Sequence, residues 1–85
     1  MNQQIYDLII DYLKFSFPVK KLRYQNAFRR TIIINNKAYH LNTANKKVIL
    51  DILSKECESI FGLTSNENKP IIDYLNIHFP TTVFF

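Results

Sequence analysis

Glycine and cysteine are almost missing from this 85-residue chain, which has one of each, Gly62 and Cys57. With a single glycine, the chain has neither the glycine-rich loop that cradles phosphates nor the dinucleotide-binding fingerprint. One cysteine cannot form an internal disulfide, and with two distant histidines it lacks the ligand spacing of a zinc site. The sequence therefore predicts no metal site and no cofactor.

Long apolar runs are missing as well, because no stretch approaches the roughly 18 consecutive apolar residues that span a membrane. The first residues, Met-Asn-Gln-Gln, lack the basic start of a signal peptide. With three scattered prolines and one glycine, no segment resembles a flexible linker. These features predict one soluble, cytoplasmic domain over residues 1–85, with no membrane partner.

Catalytic side chains in a working arrangement are also lacking. Cys57 lies between Glu56 and Glu58, whose charges raise the pKa of the thiol and disfavour the nucleophilic thiolate. Because the two glutamates are two residues apart, they point to different faces of a helix and cannot act as an acid/base pair. We predict that Cys57 is a small buried apolar residue and that the protein has no catalytic residues.

Three segments have the apolar spacing of amphipathic helices. The first covers residues 3–15 and cannot continue far because of Pro18. The second runs from about residue 43 to Gly62, and the third covers residues 66–79. Apolar residues are 47% of the chain, which is enough for these helices to cover one small core.

Two strand-like segments, residues 31–34 and 38–41, flank Asn35 and Asn36, which tolerate the positive φ of a tight hairpin turn. With these asparagines as the loop, one face of the hairpin is apolar and predicted to be buried. That face consists of Ile32, Ile34, Tyr39 and Leu41.

Residues 19–30 fit neither a helical nor an alternating pattern well. We interpret residues 22–28 as a strand bent at Gln25 and Asn26, and a short helix beginning near Pro18 is the alternative. The predicted fold is a small α+β domain. It has an N-terminal helix, an antiparallel hairpin or three-stranded meander, and two C-terminal helices packed on the sheet.

Acidic residues are missing from the whole middle of the chain, residues 12–50, where nine residues are basic. Because clustered like charges repel, this segment does not stabilise the fold by itself, but it creates a positive field that attracts a polyanion. The sequence therefore predicts a non-enzymatic nucleic-acid-binding protein with a basic face centred on the hairpin. The predicted contacts are Lys20, Lys21, Arg23, Arg29, Arg30, Lys37, His40, Lys46 and Lys47.

The orientation of these side chains follows from the strand pattern. If the even-numbered residues of 22–34 face the core, then Arg23 and Arg29 face outward, together with His40. Arg30 breaks this parity and requires a bulge or an edge position to reach solvent. Three aromatic residues near the cations are predicted to lie in the core by their usual burial, and these are Tyr24, Phe28 and Tyr39.

Other interpretations of the sequence remain open. The basic face fits a small inhibitor or adaptor that docks on an acidic or nucleic-acid-binding protein, or an ordinary solvated surface. The apolar tail, residues 81–85, is strand-like and suggests an added edge strand or a homodimer contact. A helix-turn-helix with residues 66–79 as the recognition helix is disfavoured, because Glu67 and Asp73 have the wrong charge for phosphates.

Overall fold

The structure of the protein, a computed structural model, describes residues 2–78. This part of the chain has helices and strands in the predicted order, and its sheet is a three-stranded antiparallel meander. The predicted α+β fold is confirmed. The elements are α1 (Gln3–Ser16), β1 (Val19–Tyr24), β2 (Ala27–Ile34), β3 (Lys37–His40), α2 (Lys46–Phe61) and α3 (Lys69–His78), with short 3-10 helices at Thr43–Asn45 and Ser65–Glu67.

Helix α1 begins where Asn2 caps it, since the Asn2 side chain accepts a hydrogen bond from the amide of Ile5 at 2.9 Å. Ile9 and Leu13, which are four residues apart, are buried on its inner face. The helix ends two residues before Pro18, whose ring disfavours a helical conformation in the preceding residue. The predicted first helix is confirmed.

The β2–β3 hairpin has the predicted turn and register. Asn35 and Asn36 have φ angles of +50° and +65°, in the left-handed region that asparagine tolerates better than most residues. Ile32 pairs with Tyr39, so Ile32 and Ile34 lie on the predicted buried face.

The segment before this hairpin differs from the prediction, because residues 22–28 are not one bent strand. Tyr24 pairs with Ala27, and Gln25 and Asn26 form a second tight turn between β1 and β2. Gln25 has φ of +56°, a left-handed conformation that glutamine rarely adopts. The turn was therefore not evident from its residue types.

The β1–β2 turn also reverses the side-chain parity of the sheet. Residues directly opposite each other in an antiparallel pair share a face, and here odd residues of β1 oppose even residues of β2. Arg23 therefore lies on the core-facing side, opposite Phe28, and the prediction that Arg23 faces outward was wrong. Arg29 and His40 lie on the outer side, as predicted.

One hydrophobic core joins the three helices to the core-facing side of the sheet. Its buried members are Ile9, Leu13, Phe17, Ile32, Ile34, Ile49, Leu53, Cys57, Leu63, Ile71, Tyr74 and Leu75. Gly62 ends α2 with φ of +68°, and a side chain added there would contact nothing within 4 Å. Glycine is therefore favoured at this position by the left-handed backbone conformation, and not by the lack of space for a side chain.

Tyr74 is a core residue that the apolar pattern did not identify. It is 1% exposed, and its hydroxyl donates a hydrogen bond to the carbonyl of Phe17 at 2.6 Å. This contact ties α3 to the end of α1. The predicted edge strand and dimer contact of residues 81–85 lie outside the described residues.

Candidate nucleic-acid interface

The β1–β2 hairpin extends beyond the rest of the sheet. Strand β3 pairs with residues 31–34 of β2, and the amide of Leu41 donates one further hydrogen bond to the carbonyl of Arg30 at 3.0 Å, so residues 27–29 are paired only with β1. Side chains of β2 accordingly change from exposed at residues 27–29 to buried at residues 31 and 32. We call residues 20–30 the arm; at a rise of about 3.3 Å per residue, it projects roughly 10 Å past the last bond to the β3 side.

Five of the predicted contact residues lie on the arm, and register places several of them side by side. Lys21 pairs directly with Arg30, and Arg23 lies two residues further toward the tip on the same face. Lys20 and Arg29 are on the opposite face. Four of the five, Lys20, Lys21, Arg23 and Arg29, have exposed side chains. Within residues 2–78, none of the arm's cations forms an ion pair with a carboxylate.

Arg30 differs from the other cations of the arm. It is half-buried, and its Nη1 donates a hydrogen bond to the main-chain carbonyl of His78 at 3.0 Å, at the C-terminal end of α3. A positive charge at this end of a helix is favourable because the helix dipole is negative there. The strand has regular pairing at Arg30, so neither the predicted bulge nor an edge position is present. Arg30 anchors the arm to the helices.

Tyr24 and Phe28 are exposed, at 47% and 71%, and their predicted burial was wrong. Phe28 lies on the core-facing side but beyond the end of β3, and Tyr24 lies on the outer side of the sheet, so the helices that form the core cover neither ring. Tyr39, on β3, is half-buried against the core as predicted. The arm therefore presents exposed aromatic rings among its cations.

A cleft of about 340 Å³ opens where β3 leaves the edge of β2. Its lining residues are Lys21, Phe28, Arg29, Arg30, His40, Leu41 and Asn42. Every charged residue of this lining is basic. The cleft joins the base of the arm to the start of the loop that leads to α2.

The remaining predicted contacts are not on the arm. Lys37 follows the β2–β3 turn at the opposite end of the sheet, with its ammonium 5.1 Å from the centre of the Tyr39 ring. Lys46 and Lys47 begin α2, where Lys46 is half-buried and Lys47 is exposed. His40 is half-buried at the base of the arm. The structure thus gathers five of the nine predicted residues on the arm, with His40 beside them.

The acidic residues lie on the helices and on the 3-10 helix before α3. Asp73 accepts hydrogen bonds from Lys69 at 2.7 Å and from Tyr6 at 2.6 Å, and these two contacts lower the pKa of its carboxyl. Helix α3 buries Tyr74 and Leu75 and packs against α1. It is therefore part of the helical layer.

Cys57 is fully buried, as predicted for an apolar role. Burial raises the pKa of its thiol to about 11, and the charge of Glu56 adds to the effect. Among residues 2–78, no three His, Cys, Asp or Glu side chains form a group able to hold a metal ion. In the same part of the chain, no helix has the length and apolar character needed to cross a bilayer.

We expect Cys57 of the folded protein to resist a thiol reagent such as Ellman's reagent at about pH 8, because the thiolate is both disfavoured and inaccessible. In denaturant the same reagent should modify one thiol per chain, which is the control for its reactivity. The change in absorbance with time measures both rates. Equally fast labelling of the folded and the denatured protein would contradict the buried position.

The arm combines exposed cations, which attract phosphates, with exposed rings, which can stack on bases. Neither feature supplies a nucleophile or a positioned acid/base pair. Comparison of the chain with models of known protein families, with curated proteins and with solved structures finds no match.

Proposed function

We propose that this chain is a small non-enzymatic nucleic-acid-binding protein that contacts the phosphate backbone with its arm. The observation that carries the proposal is the pairing of exposed cations with exposed aromatic rings on one projecting hairpin. Lys20, Lys21, Arg23 and Arg29 supply charge, and Tyr24 and Phe28 supply apolar rings. Arg30 holds the hairpin in place through its bond to His78.

Apart from the contacts of Arg30 with His78 and of Arg29 with Tyr24, the stability of the fold gives no reason for so many cations on one hairpin. Lys21 and Arg30 are cross-strand neighbours, and like charges directly opposite each other destabilise a sheet. The exposed residues of the arm also contribute no member to the buried core. A bound polyanion would offset this repulsion, because its negative charge attracts both cations.

The proposal is tested by fluorescence anisotropy with a labelled 15-nucleotide DNA strand, the same RNA strand and the DNA duplex, across a salt series. Four phosphate contacts predict that affinity falls roughly 50- to 150-fold as salt rises from about 50 to 200 mM, because each contact releases counterions. A labelled polyglutamate peptide is the control for general attraction to polyanions. No binding to any of the three nucleic acids at about 50 mM salt contradicts the proposal.

The same peptide also tests the adaptor alternative. Tighter binding to polyglutamate than to nucleic acid at equal salt would assign the arm to an acidic protein surface. Tighter binding to nucleic acid supports the proposed function, because phosphate spacing and exposed bases add contacts that carboxylates do not offer.

A further inference from the structure

The outer side of the sheet is a surface separate from the core. We call it the outer face. Its residues are Lys20, Leu22 and Tyr24 of β1, Ala27, Arg29, Thr31 and Ile33 of β2, and Ala38 and His40 of β3. The sheet residues in the hydrophobic core come from the other side. The outer face carries no acidic residue.

Tyr24 is exposed on this face and is also held in position. Its ring meets the ring of His40 edge-on, with centroids 4.9 Å apart and an interplanar angle of 64°. The guanidinium of Arg29 lies 5.7 Å from the centre of the same ring. With 47% of its surface open, Tyr24 offers a ring that loses little freedom when a second flat ring stacks on it.

His40 is in turn held by its neighbour on β2. Its Nδ1 lies 3.4 Å from the hydroxyl of Thr31, which is fully buried and donates a hydrogen bond to the carbonyl of Arg29 at 3.1 Å. The His40 ring that contacts Tyr24 is therefore itself held by a residue of the central strand, β2. These contacts fix the position of the Tyr24 ring in the folded sheet.

Cations lie on the same face as this ring. Arg29 pairs with Leu22, which is itself 37% exposed, and Lys20 pairs with Thr31 one step further along the sheet. A nucleotide stacked on Tyr24 would therefore have positive charge within reach of its phosphates. Stacking of bases on aromatic residues of an open sheet, with cations along the backbone, is a general mode of single-strand recognition.

We infer that the outer face is a base-stacking platform for single-stranded nucleic acid, with Tyr24 as the ring and Lys20 and Arg29 as the backbone contacts. This inference rests on the proposed function and narrows the proposed ligand from nucleic acid in general to single strands. Bases in a duplex stack on each other and present only their edges, so a ring that lies on the surface of a sheet cannot stack on them. Unpaired bases present their faces freely.

The test compares Tyr24→Ala with Tyr24→Phe by anisotropy on the 15-nucleotide DNA strand and on its duplex. Loss of one stacked base predicts that Tyr24→Ala binds the single strand roughly 5- to 150-fold more weakly, whereas Tyr24→Phe keeps the ring and binds like the wild type. Duplex binding should change less than about twofold, because the phosphate contacts are intact. Phe15→Ala is the matched control, since Phe15 is an 87% exposed aromatic residue on α1.

The possible outcomes separate this inference from the proposed function. Wild-type protein that binds the duplex, together with Tyr24→Ala protein that binds the single strand normally, overturns the platform and leaves the proposed function standing. Equal losses on both ligands, or equal losses in Tyr24→Ala and Phe15→Ala, also overturn the platform. Wild-type protein that binds neither ligand removes both ideas together.

Discussion

Replacing Lys21, Arg23 and Arg29 together by glutamine is expected to weaken binding of a DNA single strand about 500-fold at roughly 50 mM salt. Each phosphate contact makes the affinity for a single strand fall with about the 0.7 power of the salt concentration. Relative to about 1 M salt, each contact therefore raises the affinity about eightfold at roughly 50 mM salt. Three lost contacts multiply these factors. The slope of log affinity against log salt should fall in magnitude by about 2.

The matched control removes the same charge from the helices. Lys14, Lys55 and Lys69 are exposed there, and their triple glutamine variant has the same net charge as the arm variant. We expect this control to bind less than about tenfold more weakly, through the general field of the molecule alone. If both variants lose affinity equally, total charge controls binding and the arm has no special role.

Replacing Tyr74 by alanine is expected to cost about 3–5 kcal/mol of the free energy of unfolding, because a large buried ring leaves a cavity that the core fills only in part. A domain of this size has a total stability of about 4–13 kcal/mol, so the loss is a large fraction of the total. Urea unfolding followed by circular dichroism measures the change. The control is Val48→Ala on α2, where the residue is 46% exposed; its free energy of unfolding should stay within about 0.5 kcal/mol of that of the wild type.

Tyr74→Phe separates the hydroxyl from the ring. It leaves the carbonyl of Phe17 without this partner, which should cost about 1–3 kcal/mol. Burial raises the pKa of Tyr74 to about 12, whereas an unfolded tyrosine ionises near its ordinary value of 10. Between these pH values the unfolded state binds fewer protons, so stability falls as pH rises, and Tyr74→Phe should lose less stability over that window. Equal costs for the alanine and phenylalanine variants would assign the whole effect to the hydroxyl.

The helices could be predicted from the sequence because their information is local. Apolar residues recur at helical spacing, and Pro18 and Gly62 mark the ends of two helices. The β1–β2 turn could not, because its left-handed residue is Gln25, and glutamine tolerates a positive φ less well than the asparagines of the β2–β3 turn. Gln25 takes its left-handed conformation from the pairing of the two strands around it, which is a longer-range cause.

The candidate site was predictable in its charge but not in its shape. The excess of basic residues over acidic ones in residues 12–50 follows directly from the sequence. The shortness of β3 does not, and it leaves Phe28 beyond the reach of the helices. The parity change at the β1–β2 turn does not either, and it places Tyr24 on the outer side of the sheet, although residue type had assigned both rings to the core. The bond between Arg30 and the carbonyl of His78 joins residues 48 positions apart and has no local signal.

Strand β1 has a second role that follows from its place in the sheet. Among residues 2–78 it pairs on one side only, with β2, so its other side presents unpaired main-chain groups. Lysine and arginine on such a strand oppose pairing with a strand from another molecule, and here they are Lys20, Lys21 and Arg23. The cations proposed for ligand contact are therefore also suited to oppose aggregation through this edge. We expect the triple glutamine variant of the arm to precipitate as intermolecular β-sheet at lower protein concentration than the variant of the helical lysines.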